Sequence, residues 1–166
     1  MTRHLWLTAL VLLVVVSAPA RAADDPPRSA PELPASAAPP PATPEQRYSE
    51  GHALAKRRDW RGAEAAYRDA IKTKPAYPEA WNGLGYVLRN QGKYDESVRA
   101  YGEALRLRPD YPQALEYLGE AYVKMGRLDD ARQLLERLRQ LKAPEADDLA
   151  RAISGAPTSS SSGYRW

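Results

Sequence analysis

The chain has 166 residues, 27% of them charged and 43% hydrophobic, which fits one globular domain of ordinary size rather than two. It contains no cysteine and only two histidines, His4 and His52. That excludes disulfides, thiol catalysis, iron–sulfur clusters, cysteine zinc sites and a multi-histidine metal site within one chain, while a formal net charge of +3 is too small to mark a nucleic-acid binder.

Met1 to Ala22 reads as a secretory signal peptide. Arg3 supplies a positive start, and Leu5 to Val16 is apolar except for Thr8. Ala20 and Ala22 then form the small-residue pattern that signal peptidase needs, which places cleavage after Ala22. The competing reading is an uncleaved membrane anchor. This twelve-residue run rises only about 18 Å as a helix, short of a ~30 Å hydrocarbon core. Cleavage removes Arg3 and Arg21 and no acid, so the charge of the mature chain is 22 − 21 = +1. The electrostatic case for a polyanion partner falls with it. Export, to the periplasm or out of the cell, also lowers the expectation of nucleotide chemistry. No integral membrane span is expected after cleavage.

Residues 23–43 form a linker. From Ala23 to Pro44, eight of 22 residues are Pro and six are Ala. Pro fixes φ and removes a backbone donor, so this stretch is expected to be a disordered, partly polyproline-II spacer.

The remainder repeats. Three units of 34 residues follow without a gap: Pro44–Tyr77, Pro78–Tyr111 and Pro112–Glu145. Gly51, Gly85 and Gly119 align, as do Leu54, Leu88 and Tyr122, and Tyr67, Tyr101 and Leu135. Each unit reads as two helices. In the second, Trp81, Leu84, Gly85 and Leu88 recur as one helical stripe, and Gly92 breaks that helix. Tyr94–Asp95–Glu96 opens the next, with acids at its positive end. Ser97, Tyr101, Ala104 and Leu105 form the second stripe, and Pro109 ends it. Small residues at Gly85 and Ala104 let the two helices approach. The first unit opens on a capping box, Thr43 with Gln46, and Pro44 at the first helical position.

These residues resemble the tetratricopeptide repeat (TPR) family from Pro44 to about Pro144. The second unit, W-N-G-L-G-Y-V-L…G-K-Y-D-E-S…Y-G-E-A-L-R-L-R-P, carries the likeness best. The resemblance implies an all-α fold: a right-handed α-solenoid of three helix–turn–helix units. Arg47 and Glu50 replace Trp81 and Leu84 in the first unit, where no preceding unit packs. Residues 145–154 place Leu149 and Ile153 one turn apart and read as a capping helix over the last apolar face. Residues 155–166 are a Ser-rich tail, expected to be disordered, that ends in Tyr164, Arg165 and Trp166.

No catalytic constellation emerges, and no cofactor or metal is expected. His52 has no nucleophile signature around it, and Gly83–Leu84–Gly85 lacks the spacing of a dinucleotide loop. Asp129–Asp130 and Asp147–Asp148 read as helix N-terminal charges. A protein or peptide partner is the expectation. In TPR proteins the first-helix face opposite the core lines a concave groove. Here the resemblance puts Tyr48, His52, Lys56, Asn82, Tyr86, Asn90, Tyr117, Glu120 and Lys124 on that face. Tyr and Asn combine contact area with hydrogen bonds; the same pattern also suits a merely solvated face. TPR domains that clamp a chaperone's terminal carboxylate use cations and Asn at positions held here by Tyr48, His52, Gly83, Gln113 and Tyr117. No cation of the clamp is supplied. Lys56–Arg57–Arg58–Arg61 is the one basic cluster, read either as a solvated turn or as a contact for an acidic partner or lipid headgroups. The expected function is a non-catalytic adaptor for a peptide or helix of an envelope or secreted partner. The alternative is a structural subunit assembling through its edges or second helices; the oligomeric state stays open.

Overall fold

A computed structural model describes residues 41–156. The signal peptide, most of the linker and the tail from residue 157 lie outside the described residues.

Seven helices follow in order: α1 Pro44–Lys56, α2 Trp60–Thr73, α3 Pro78–Asn90, α4 Tyr94–Leu107, α5 Pro112–Lys124, α6 Leu128–Gln140 and α7 Glu145–Ser154. No strand occurs among the described residues. Helices α1 and α2, α3 and α4, and α5 and α6 are the three hairpins expected from the 34-residue period. Each second helix packs on the first helix of the next unit. The first helices also touch one another, α1 with α3 and α3 with α5, whereas α2, α4 and α6 do not. The first helices therefore line the inside of the helical solenoid's curve.

The helix ends follow from local chemistry. Thr43 Oγ1 accepts from the Gln46 N–H at 3.2 Å, and the Gln46 side chain accepts from the Thr43 N–H at 2.8 Å. Pro stands in the first turn of α1, α3 and α5, where its missing N–H costs nothing. Asp59 caps α2 by accepting from the Gly62 N–H at 3.0 Å. Helices α4 and α6 lack a side-chain cap but carry Asp95 and Glu96, and Asp129 and Asp130, in their first turns.

Within each hairpin the first helix ends on a left-handed residue. Gly92 and Gly126 hold φ of 77° and 74°; the equivalent residue of the first unit is Arg58, at φ 60°. The same backbone bond closes all three turns: Asp59 N–H to Leu54 O, Lys93 N–H to Leu88 O, and Arg127 N–H to Tyr122 O, at 2.8–3.0 Å. This is the Schellman closure, in which glycine is favoured for its lack of a Cβ.

The core runs through the hairpins. Leu84, Val87 and Leu88 of α3 pack with Tyr67 of α2 and Ala100 of α4. Gly85 lets α4 come close: a Cβ there would stand 2.6 Å from Tyr101 Cε1. The Ser97 hydroxyl donates to Gly85 O at 2.8 Å beneath the same contact. At the far end Leu149 of α7 is fully buried with Leu115, Leu135 and Leu138, and Ile153 packs beside them. Without α7 those leucines would face water, so α7 performs the covering that its apolar pattern implies. At the near end Arg47 and Glu50 pair with each other at 2.8 Å in place of a packed apolar stripe. Among the described residues, no helix is long and apolar enough to cross a membrane.

Candidate functional site

The inner faces of α1, α3 and α5 enclose a cavity of about 390 Å³. Helix α1 contributes Tyr48, His52, Ala55 and Lys56. Helix α3 contributes Glu79, Asn82, Gly83 and Tyr86, and α5 contributes Gln113 and Tyr117. One wall comes from a second helix: Tyr67 of α2. Tyr67 reaches the inner face because Gly51 and Gly83 leave room on either side. A Cβ on Gly83 would lie 2.6 Å from Tyr67 Cζ, and one on Gly51 would lie 2.9 Å from its ring.

The aromatic rings form two groups. Tyr48 sits 5.7 Å from Tyr67, 5.3 Å from Tyr77 and 6.5 Å, in parallel, from His52. Tyr86 sits 5.5 Å from Tyr117 and edge-on to Trp60 at 6.1 Å. These separations suit offset and edge contacts between aromatic quadrupoles. Burial raises the hydroxyl pKa of Tyr48, Tyr67 and Tyr117, and the neighbouring Glu79, Tyr48 and Glu116, respectively, push the same way. The three stay neutral and offer both a donor and an acceptor at physiological pH.

Asn82 lies in the floor and is only 5% exposed. Its Nδ2 donates to Gln113 Oε1 at 3.1 Å and to Tyr111 Oη at 3.4 Å. Its Oδ1 is buried with no partner.

The charges around the cavity repeat with the fold. Lys74 donates to Glu45 at 2.8 Å and lies over the Tyr77 ring at 4.6 Å. One unit later Arg108 pairs with Glu79 and lies over Tyr111 at 4.8 Å. Arg89 lies over both Tyr86 and Tyr117, and pairs with Glu120.

The nine residues picked from the sequence do not form one surface. Tyr48, His52, Lys56, Asn82, Tyr86 and Tyr117 come together in the cavity. Asn90, Glu120 and Lys124 instead line a second concavity of about 730 Å³, beside the end of α7 with Arg89, Tyr94 and Ala152. There Asn90 Nδ2 donates to the Tyr86 carbonyl one turn back, at 2.8 Å. Asn82 is floor rather than rim because α5 closes over that edge of α3. Tyr67 and Arg89 were not among the nine. Arg89 stands one turn after Tyr86 and was within reach of the same wheel; Tyr67 belongs to the other helix of its hairpin.

The site holds no nucleophile with a base aimed at it, and no group of three metal-ligating carboxylates or histidines occurs among the described residues. Its chemistry is contact area, neutral hydrogen bonds and a few charges, which is the equipment of a binding surface.

Family models described as tetratricopeptide or TPR repeats match residues 48–98, 85–126 and 113–141, running together from 48 to 141 without a break. No curated protein matches the chain. Among solved structures, the TPR2B domain of yeast Sti1 in complex with an Hsp70 peptide is 21% identical, with a TM-score of 0.63, over 67% of this chain and 95% of that one. The TPR domain of Arabidopsis OM64 is 17% identical, with a TM-score of 0.63, over 68% and 94%. The second TPR domain of human RPAP3, solved with an Hsp70 peptide, is 20% identical, with a TM-score of 0.60, over 67% and 98%. At these identities the likeness is one of fold. The unbroken run of repeat matches over more than half of the chain, on three hairpins of the right period, makes this chain a member of the tetratricopeptide repeat family.

Proposed function

We propose that this chain is a non-catalytic protein-interaction module that holds an extended or helical peptide segment of a partner in the cavity between α1, α3 and α5. The observation that carries the reading is the lining of that cavity. Tyr48 and Tyr67, Tyr86 and Tyr117, from three successive units, meet there beside Asn82 and Gln113, so the walls supply contact area and neutral hydrogen-bonding groups together. Fold relatives solved with peptides support the same use. The leader read at residues 1–22 supports export, and with it a partner in the envelope or outside the cell.

The test compares the chain from Ala23 with a Tyr48→Ala/Tyr86→Ala/Tyr117→Ala variant whose helical circular dichroism is unchanged. Both are used to capture partners from envelope extract. The reading expects a protein retained by the first and lost by the second. Equal capture by both would assign binding to the edges or to the second helices, and the chain would then be an assembly subunit.

A further inference from the structure

The second concavity, of about 730 Å³, is within the size range of ligand pockets, and it is distinct from the tyrosine cavity. Tyr94 of α4, Val123 of α5 and Ala152 of α7 bring half-buried apolar surface to it. None of the three belongs to the hydrophobic clusters of the core, so the core does not use this surface. Its charges are unevenly matched. Arg89 and Glu120 hold each other, while Lys124 and, two turns before it on α5, Glu116 have no ion pair among the described residues. Burial raises the pKa of Glu116, Asp148 and Glu145 of α7 add to the rise, and Arg89 opposes it without cancelling it. The field along this seam of α5 and α7 is therefore negative, and the seam is short of a cation.

We infer that this concavity is the docking site of the chain's own residues 164–166, Tyr-Arg-Trp. The chain leaves α7 through Gly155 and Ala156, which themselves line the concavity, so the residues that follow start at its rim. Pro157 to Gly163 are one Pro, one Thr, four Ser and one Gly, the composition of a tether. A Gly/Ser tether of that length has a root-mean-square span of about 13–16 Å. From Lys124 back to Glu116, eight residues along α5, is about 12 Å. The tether thus delivers the tripeptide onto the concavity rather than past it. Tyr164 and Trp166 supply apolar area for Tyr94, Val123 and Ala152, and Lys124 offers a cation to an aromatic face. Arg165 brings the charge that Glu116 lacks. A short tether holds its ligand at an effective concentration on the order of millimolar, so even a contact of millimolar affinity is about half formed. The tail is a ligand in cis that covers the α7 end of the inner surface, and the tyrosine cavity between α1, α3 and α5 needs no part in it.

The chain has no cysteine, so Gly163→Cys gives a single site for a nitroxide spin label. The experiment records amide signals of the isotope-labelled chain from Ala23 with the label in place and after its reduction. It is repeated with Tyr164→Ala/Trp166→Ala and with Arg165→Glu, and unchanged shifts in α1 to α6 check that the fold is kept. Asn90 and Tyr94 lie on α3 and α4, on the wall away from the tether. With the tail about half docked, their amides should lose more than about half of their intensity to the label. The intensity should return in Tyr164→Ala/Trp166→Ala and return in part in Arg165→Glu. Equal broadening in all three chains would mean that the tether alone brings the label near, and would overturn the inference. Broadening strongest at Tyr48 and His52 would place the tail in the tyrosine cavity and overturn it as well. A mixture of isotope-labelled chain without the nitroxide and nitroxide-bearing chain without the isotope should show no broadening. Broadening in that mixture would give the concavity to the tail of a second copy and overturn docking within one chain. No readout here involves a partner, so failure of this inference leaves the groove reading untouched.

Discussion

The Arg89 guanidinium lies 5.1 Å from the centre of the Tyr117 ring, across the seam between α3 and α5. It also covers Tyr86 at 5.6 Å and pairs with Glu120, with only 15% of its side chain exposed. One cation thus ties together the two tyrosines that form the α3–α5 side of the cavity. Replacing Arg89 by Met keeps the stem, removes the charge and leaves Glu120 half-buried and unpaired. The expected loss is about 2 kcal/mol in urea unfolding, recovered to about 1 kcal/mol when Glu120→Gln is added. Equal losses in the single and double variants would mean that the pair contributes nothing.

Gly83 and Gly102 make opposite predictions for one chemical change. Both lie within helices, but a Cβ on Gly83 would stand 2.6 Å from the Tyr67 ring, and one on Gly102 meets nothing within 4 Å. Gly102→Ala is expected to stabilise by roughly 0.5–1 kcal/mol through helix propensity. Gly83→Ala is expected to cost about 1–2 kcal/mol because Tyr67 must leave its place in the wall. Chemical denaturation midpoints separate the two signs.

Arg58 stands at φ 60° where Gly92 and Gly126 stand in the other units. Arg58→Gly should therefore raise the unfolding free energy by about 0.5–1 kcal/mol. A stability loss would show that the arginine side chain supports the turn.

Two glutamates, Glu64 and Glu116, act on the pH dependence of stability in opposite directions. Burial would raise the pKa of Glu64, but hydrogen bonds from Lys93, Gln91 and Arg68 outweigh it and bring it from 4.5 down to about 2. A depressed carboxylate contributes stability that is complete above its unfolded value and is lost as pH falls from about 4.5 towards 2. Glu64→Gln should flatten the stability profile in that window. Glu116 shifts the other way: burial raises its pKa, and Asp148 and Glu145 add to the effect. Its ionised form is disfavoured in the fold, so Glu116→Gln should stabilise at neutral pH. That advantage should vanish as the pH falls through the raised pKa towards the ordinary glutamate range.

Much of the fold was legible because one period governs it. Prolines at Pro44, Pro78 and Pro112 mark the start of each unit, and the structure begins α1, α3 and α5 on those residues. The capping box at Thr43 and the covering role of Leu149 were likewise local or periodic signals. The site was legible only in part. A wheel drawn on one helix finds the residues that face away from its hairpin partner, and six of nine did converge. It cannot find Tyr67, whose entry depends on two glycines of neighbouring helices. Nor can it say that α5 covers Asn82, or that Asn90 and Lys124 turn towards α7, because both depend on how successive units stack. Arg58 was readable by setting it against Gly92 and Gly126, and it is one of the residues, with Arg47 and Glu50, at which the period and the side chain disagree.

The central claim is that the cavity between α1, α3 and α5 is where a partner segment binds. It is tested most directly by calorimetric titration of a peptide selected on the wild-type chain into that chain, into Tyr86→Ala and into Glu103→Ala on the outer face. The account predicts at least about a tenfold loss of affinity for Tyr86→Ala, as for a central aromatic contact, and none for Glu103→Ala. Unchanged affinity in Tyr86→Ala, with its melting temperature retained, would contradict it.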